Sequence, residues 1–168
     1  MQMRFPRQFS AVAASLLAAC AFTMAGAASA SGAPVGPTLT AAPVSVFQIP
    51  AIGVKVSGLV IPGPHLASVN ASSAAPGRTT FSAPARPETC ATTAGGSLVR
   101  INYVNVRTGD RGVSVVKPCP FFLDSAPTHQ TVRTGSGPVV FTVSITGSWA
   151  YPNAGQPSLP GGGGFVAP

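Results

Sequence analysis

Residues 98–117 read LVRINYVNVRTGDRGVSVVK. Two segments with alternating side chains, 98–106 and 113–117, are separated by the polar turn 107–112. The glycines of that turn supply the positive φ angles that a tight reversal between two twisted strands requires. The stretch therefore predicts a β-hairpin.

The alternation predicts that one face of this hairpin is apolar. Arg100 and Asn102 fall on its polar side, and Val113 and Val115 flank Ser114 in the second segment. The apolar side is assigned to Val99, Ile101, Tyr103, Val113 and Val115. Two strands alone are only marginally stable in water, so the rest of the chain must cover this face.

The N-terminus has the features of a secretory signal peptide over residues 1–30. Arg4 and Arg7 precede an apolar block, and Ala28-Ser29-Ala30 is a small-x-small cleavage site. These features predict a secreted, extracellular or cell-envelope protein.

A second way of processing the same segment stays open. Leu17-Ala18-Ala19-Cys20 resembles the lipobox of bacterial lipoproteins, in which the cysteine is lipidated and becomes the new N-terminus. In that case residues 1–19 are the signal, Cys20 is lipidated, and the lipid is the chain's contact with a membrane. The apolar run continues past Cys20, which favours simple secretion.

Both alternatives leave two cysteines, Cys90 and Cys119, in an exported domain. They stand at the outer ends of the hairpin, and they lack the Cys-x-x-Cys spacing of redox or metal sites. We predict that they form one disulfide, because exported thiols meet an oxidising compartment.

The remaining pattern predicts an all-β fold. Residues 31–42 are a Gly/Pro/Ala linker, and residues 43–152 contain short β-type runs with turn signals between them. The clearest run, 139–146, has Val139, Phe141, Val143 and Ile145 on one side, which is typical of an antiparallel sheet with one wet face. We expect a small antiparallel two-sheet sandwich of immunoglobulin-like architecture, with about seven or eight short strands. Residues 153–168, which include four consecutive glycines, are predicted to be a disordered tail.

Composition limits the possible chemistry. Only 8% of the residues are charged, and residues 31–168 carry eight cations and three acids, a net charge of +5. This dilute surplus suits an anionic envelope polymer or a protein partner, and it contains no run of like charges that would indicate specific nucleic-acid binding.

Catalytic groups are scarce. The acids are Glu88, Asp110 and Asp124, and the imidazoles are His65 and His129. A Ser-His-Asp set could be assembled from Ser136, His129 and Asp124, but Gly-Ser-Gly at 135–137 lacks the full nucleophile-elbow motif. We therefore predict no catalytic site, no metal site and no cofactor.

Three functions follow as hypotheses. The first is an exported, non-catalytic binding module with a basic patch formed by Arg100, Arg107, Arg111 and Lys117. The second is a small secreted hydrolase that uses His129 or Asp124. The third is a structural or assembly subunit that works by strand addition, which an unpaired edge at residues 139–146 would support.

Overall fold

The structure is a computed structural model that describes residues 41–58 and 60–168. The predicted signal peptide, the lipobox cysteine Cys20 and the linker up to residue 40 lie outside the described residues.

The described chain is made of strands and one short helix. The strands are β1 (Ala42–Val44), β2 (Phe47–Ile49), β3 (Ala51–Val56), β4 (Pro62–Ala67), β5 (Asn70–Ala75), β6 (Arg78–Ser82), β7 (Ser97–Asn105), β8 (Arg111–Val116), β9 (His129–Arg133), β10 (Gly137–Gly147) and β11 (Gly161–Ala167). The helix α1 (Pro87–Cys90) has four residues.

The strands form two main antiparallel sheets and a separate hairpin. One sheet has the order β1-β5-β6-β9 and the other the order β2-β11-β10-β7-β8, while β3 pairs with β4. This confirms the all-β class. There are more strands than the seven or eight expected, in part because residues 42–49 form two short strands. β1 joins one sheet and β2 the other, with Ser45 and Val46 between them.

The central hairpin is confirmed as β7 paired with β8. Val99 lies opposite Val116, and Ile101 lies opposite Ser114. The second strand, however, faces the other way from the prediction: Ser114 and Val116 are buried, while Val113 is exposed. Gly112, Ser114 and Val116 are thus the inward positions of β8.

The register of the hairpin accounts for this reversal, because residues directly opposite each other in an antiparallel pair lie on the same face, and β7 has its buried side facing the core. Gly112 lies opposite Tyr103, and a Cβ at Gly112 would come within 2.9 Å of the Tyr103 ring carbon Cζ. The Ser114 hydroxyl is satisfied inside by donating to Gln130 Oε1 at 2.8 Å. A small residue and a hydrogen-bonded serine therefore occupy core positions that the hydrophobic pattern assigned to Val113 and Val115.

The predicted strand at 139–146 is confirmed, but it is not an edge. It lies within β10, which pairs with β7 on one side and β11 on the other. The five-stranded sheet ends instead at β2 and β8. Residues 139–146 therefore do not form the unpaired edge that would have supported strand addition.

The C-terminal segment differs from the disordered tail predicted for residues 153–168. Its last part forms β11, which pairs with β10 over seven residues and with β2 over three. Phe165 and Ala167 of this strand belong to the buried core. The domain therefore continues to Ala167 and does not end at residue 152.

The glycines of β11 are required by the close approach of its neighbours. A Cβ at Gly161 or Gly163 would overlap the backbone oxygens of Ile49 and Phe47 in β2. Consecutive glycines are usually associated with disorder. In this chain they allow β11 to pack between two other strands.

The core lies between the two main sheets. Phe81 of β6 is fully buried, and its ring lies 5.7 Å from that of Tyr103 and 5.8 Å from that of Phe165. Two glutamine side chains join the sheets at their margins. Gln48 bonds to the backbone N–H and C=O of Val69, and Gln130 accepts from β8. Gln130 thus ties β9 to β8, and Gln48 ties β2 to the residue that precedes β5.

Candidate functional site

The four residues of the predicted basic patch lie in different surroundings. Arg100 is exposed in the middle of β7, and Arg111 is exposed at the start of β8. Lys117 is half-buried, and its Nζ donates to the backbone oxygens of Phe122 at 3.3 Å and Asp124 at 3.1 Å. Arg107 lies in the turn between β7 and β8. The structure therefore does not gather these four into one binding surface.

Arg107 instead joins two arginines from the other sheet. A cleft of about 850 Å³ opens where the β5–β6, β7–β8 and β9–β10 connections meet at one end of the sandwich. We call it the arginine cleft. Its lining residues are Pro76, Gly77, Arg78, Arg107, Thr108, Asp110, Arg133, Gly135 and Ser136.

Two of these arginines are direct neighbours. Arg78 begins β6, Arg133 ends β9, and the antiparallel register places them opposite each other. Like charges at such positions destabilise a sheet by about 0.2–1 kcal/mol. The described residues contain a single ion pair, Arg86 with Glu88 at 3.9 Å, so no carboxylate there neutralises the arginines of the cleft.

A buried asparagine holds the two turns behind the cleft. Asn105 is fully buried at the end of β7. Its Oδ1 accepts from the backbone N–H groups of Arg107 at 2.8 Å and Thr108 at 3.0 Å, and its Nδ2 donates to Thr134 O at 2.8 Å. Thr134 N in turn donates to Gly77 O at 3.0 Å. The Asn105 amide therefore links the β7–β8 and β9–β10 connections, and Thr134 N links the latter to the β5–β6 connection, so the cleft walls are held by satisfied hydrogen bonds.

Gly135 allows two of the turns to come together. It has a φ of 68°, and a Cβ there would lie 2.5 Å from Asp110 Oδ2 and 2.6 Å from Thr108 Oγ1. The Thr108 hydroxyl donates to that same carboxylate oxygen at 2.8 Å. One carboxylate oxygen of Asp110 therefore accepts a hydrogen bond within the turn. Asp110 is the acidic residue among those that line the arginine cleft.

The residues of the possible Ser-His-Asp set are not brought together. Ser136 lies in the arginine cleft, and its hydroxyl donates to Pro168 O at 2.8 Å. His129 begins β9 and bonds through Nδ1 to the hydroxyl of Thr128. Asp124 lies in the loop after β8, where Oδ1 accepts from Ala126 N. Each group has a hydrogen-bond partner outside the set.

Cys90 and Cys119 form the disulfide expected from the sequence, with a Cα–Cα distance of 5.6 Å. It ties the helix before β7 to the loop after β8, and Cys119 is buried. A buried disulfide indicates an oxidising, extracellular compartment. Among the described residues, no helix has the length and apolarity to cross a membrane, and no cluster of three potential metal ligands occurs.

A second histidine is buried away from the cleft. His65 lies in β4, and its Nε2 has no hydrogen-bond partner among the described residues. Burial lowers the pKa of His65 below its ordinary value of 6.5, and the charge of Lys55 acts in the same direction.

This histidine makes stability depend on pH. Below pH 6.5 the unfolded chain binds a proton at His65 that the folded protein does not, so the free energy of unfolding is expected to fall as the pH drops from 7.5 to 5.5. Denaturant unfolding of the His65→Leu variant should lose this slope, whereas His129→Gln, at an exposed imidazole, should keep it. An unchanged slope in His65→Leu would contradict the assignment.

The sequence indicated Arg107 but missed Arg78 and Arg133 as its partners. These residues are 29 and 26 positions from Arg107, on strands of the other sheet. A correct register for β6 and β9 would have placed them together, but neither strand has a distinctive pattern.

No protein family, no curated protein and no solved structure matches this chain. The candidate site therefore has to be interpreted from its own geometry and charge.

Proposed function

We propose that this chain is an exported, non-catalytic β-sandwich binding module of the bacterial cell envelope or secretome. Its binding surface is the arginine cleft, and its partner is an anionic polymer. The observation that carries the proposal is the convergence of Arg78, Arg107 and Arg133, from both sheets, on one cleft without an ion-pair partner in the described chain.

Arginine is the cation best suited to this role. Its guanidinium group stays charged at all physiological pH values and presents a planar fork of donors that matches phosphate and carboxylate oxygens. A cleft that contains several such groups concentrates the positive potential that attracts a polyanion. Neither Arg78 nor Arg133 forms an ion pair within 4.0 Å in the described chain, so an anionic ligand would relieve the repulsion between them.

The rigid setting of the cleft also favours binding. Asn105 fixes the turns, and Tyr103 donates from its hydroxyl to Arg133 O at 3.1 Å. A preformed cleft loses less conformational entropy when a ligand binds than a flexible loop does. The export part of the proposal is supported by the disulfide and by the signal features of residues 1–30.

The two opposed arginines give a test that separates binding from folding. Replacing Arg78 by threonine is expected to weaken binding of poly(glycerol phosphate) about tenfold, because one charged contact is lost. The same change should leave the free energy of unfolding unchanged or raise it by up to about 1 kcal/mol, because the repulsion across β6 and β9 disappears. Isothermal titration calorimetry and denaturant unfolding measure the two effects.

The matched control is Arg100→Thr, which removes the same charge from an exposed position in the middle of β7. It should change the affinity much less than Arg78→Thr. Equal losses in both variants would mean that the polymer senses only net charge, and the cleft would then not be the binding surface. A clear drop in stability for Arg78→Thr would indicate a structural role for this arginine.

A further inference from the structure

Asp110 is a carboxylate among three arginines, and its position requires a reason. It weakens the attraction of the arginine cleft for any anion, yet it forms no ion pair within 4.0 Å with the cations of the described chain. Neutralising an arginine is therefore not its role in the free protein.

The turn does not need the Asp110 side chain either. An aspartate in a hairpin turn usually accepts hydrogen bonds from nearby backbone N–H groups. Here the buried Asn105 does this for the N–H groups of Arg107 and Thr108. The Asp110 carboxylate receives the Thr108 hydroxyl on Oδ2, and Oδ1 has no hydrogen bond among the described residues.

Asp110 is nevertheless held in place. The Thr108 hydroxyl donates to Oδ2 at 2.8 Å, Asp110 O accepts from Asn105 N at 2.7 Å, and Gly135 leaves just enough room for the carboxylate. The result is an oriented acceptor in a cleft whose other charged groups are all donors.

We propose that the ligand of the arginine cleft is an anionic polymer whose repeating units also carry hydroxyl groups, as in sugar or polyol chains that bear phosphate or carboxylate. The arginines hold the charged group, and Asp110 Oδ1 accepts a hydrogen bond from a hydroxyl of the same chain. This inference rests on the proposed function of the cleft and names the chemical class of its ligand. An ionised acceptor makes a strong hydrogen bond to a hydroxyl donor, and it repels an anion that lacks one.

Two polymers with the same kind of charge test the inference. Poly(glycerol phosphate) has a hydroxyl on each repeat, and linear polyphosphate has none. We expect Asp110→Asn to strengthen polyphosphate binding several-fold, because a repulsive charge is removed. For poly(glycerol phosphate) the lost charge-assisted hydrogen bond offsets this gain, so the preference for it over polyphosphate should fall about tenfold.

The experiment uses the full folded protein at one ionic strength, with polymers of matched charge number. Asp124→Asn is the control, because it removes the same charge from the loop after β8, and it should leave the preference unchanged. An equal gain for both polymers in Asp110→Asn would overturn the inference, since Asp110 would then act only as a repulsive charge. The proposed function fails separately, if Arg78→Thr leaves binding of both polymers unaltered.

Discussion

Replacing Phe165 by alanine is expected to lower the free energy of unfolding by about 3–5 kcal/mol. Phe165 belongs to β11, is 5% exposed, and packs its ring 5.8 Å from Phe81 and 6.2 Å from Phe141. Alanine would remove the ring that joins the aromatic groups of the two sheets and would leave a cavity that the surrounding strands cannot fill. Most small domains have a total stability of about 5–15 kcal/mol, so the loss is a large fraction.

The measurement is denaturant unfolding followed by far-UV circular dichroism, with Phe121→Ala as the control. Phe121 is the same residue type but is 95% exposed, so its removal should cost less than about 0.5 kcal/mol. A disordered tail over residues 153–168 would make both substitutions equally harmless. Equal small effects would therefore contradict the placement of β11 in the core.

The inward faces of β7 and β10 could be predicted because their side chains alternate strictly. Val99, Ile101, Val143 and Ile145 are all buried, as their spacing requires. In such strands the hydrophobic effect and the two-residue period of the backbone give the same answer. Local pattern was therefore sufficient for the class of the fold.

The pattern failed where backbone packing decides the structure. The glycines of β11 have no side chain to bury, so alternation of apolar and polar residues cannot identify this strand. Glycine is required there because the backbone oxygens of β2 leave no room for a Cβ. In β8, Gly112 and Ser114 are inward positions. Gly112 lies against the ring of Tyr103, and the Ser114 hydroxyl donates to the side-chain amide oxygen of Gln130. In β11 the deciding neighbour, β2, is distant in sequence, and in β8 the hydroxyl of Ser114 depends on Gln130, which lies outside the hairpin.

The arginine cleft illustrates the same limit for a site. Arg107 could be predicted as a binding residue because it lies in the turn of the hairpin, which is well defined by the sequence. Arg78 and Arg133 come from strands whose register with each other is set by the folded sheet. Aspartate in a hairpin turn usually accepts from backbone N–H groups, but here Asn105 does so, and the local sequence does not show this. The candidate site thus depends on long-range contacts that cannot be predicted from a local sequence motif.

Removing the disulfide is expected to lower the free energy of unfolding by about 3–4 kcal/mol, and the midpoint of thermal unfolding by about 10–15 °C. Cys90 and Cys119 are 29 residues apart, so the bond restricts a loop that contains the whole central hairpin. Without it, the unfolded chain gains the conformational freedom of that loop, while the sheets keep their other contacts. The Cys90→Ala/Cys119→Ala double variant is the one to measure, because a single substitution leaves a reactive thiol.

Reduction of the unaltered protein separates the cross-link from the packing of the sulfur atoms. Dithiothreitol breaks the bond but keeps both side chains, including the buried Cys119. We expect it to destabilise the unaltered protein nearly as much as the double substitution does, and to leave the double variant unchanged. A large effect of the substitution with a small effect of reduction would show that Cys119 stabilises the domain by packing and not by closing the loop. The segment before α1 and the loop after β8 would then be held by contacts such as the hydrogen bond from Ala85 N to Pro118 O, which is 3.2 Å long.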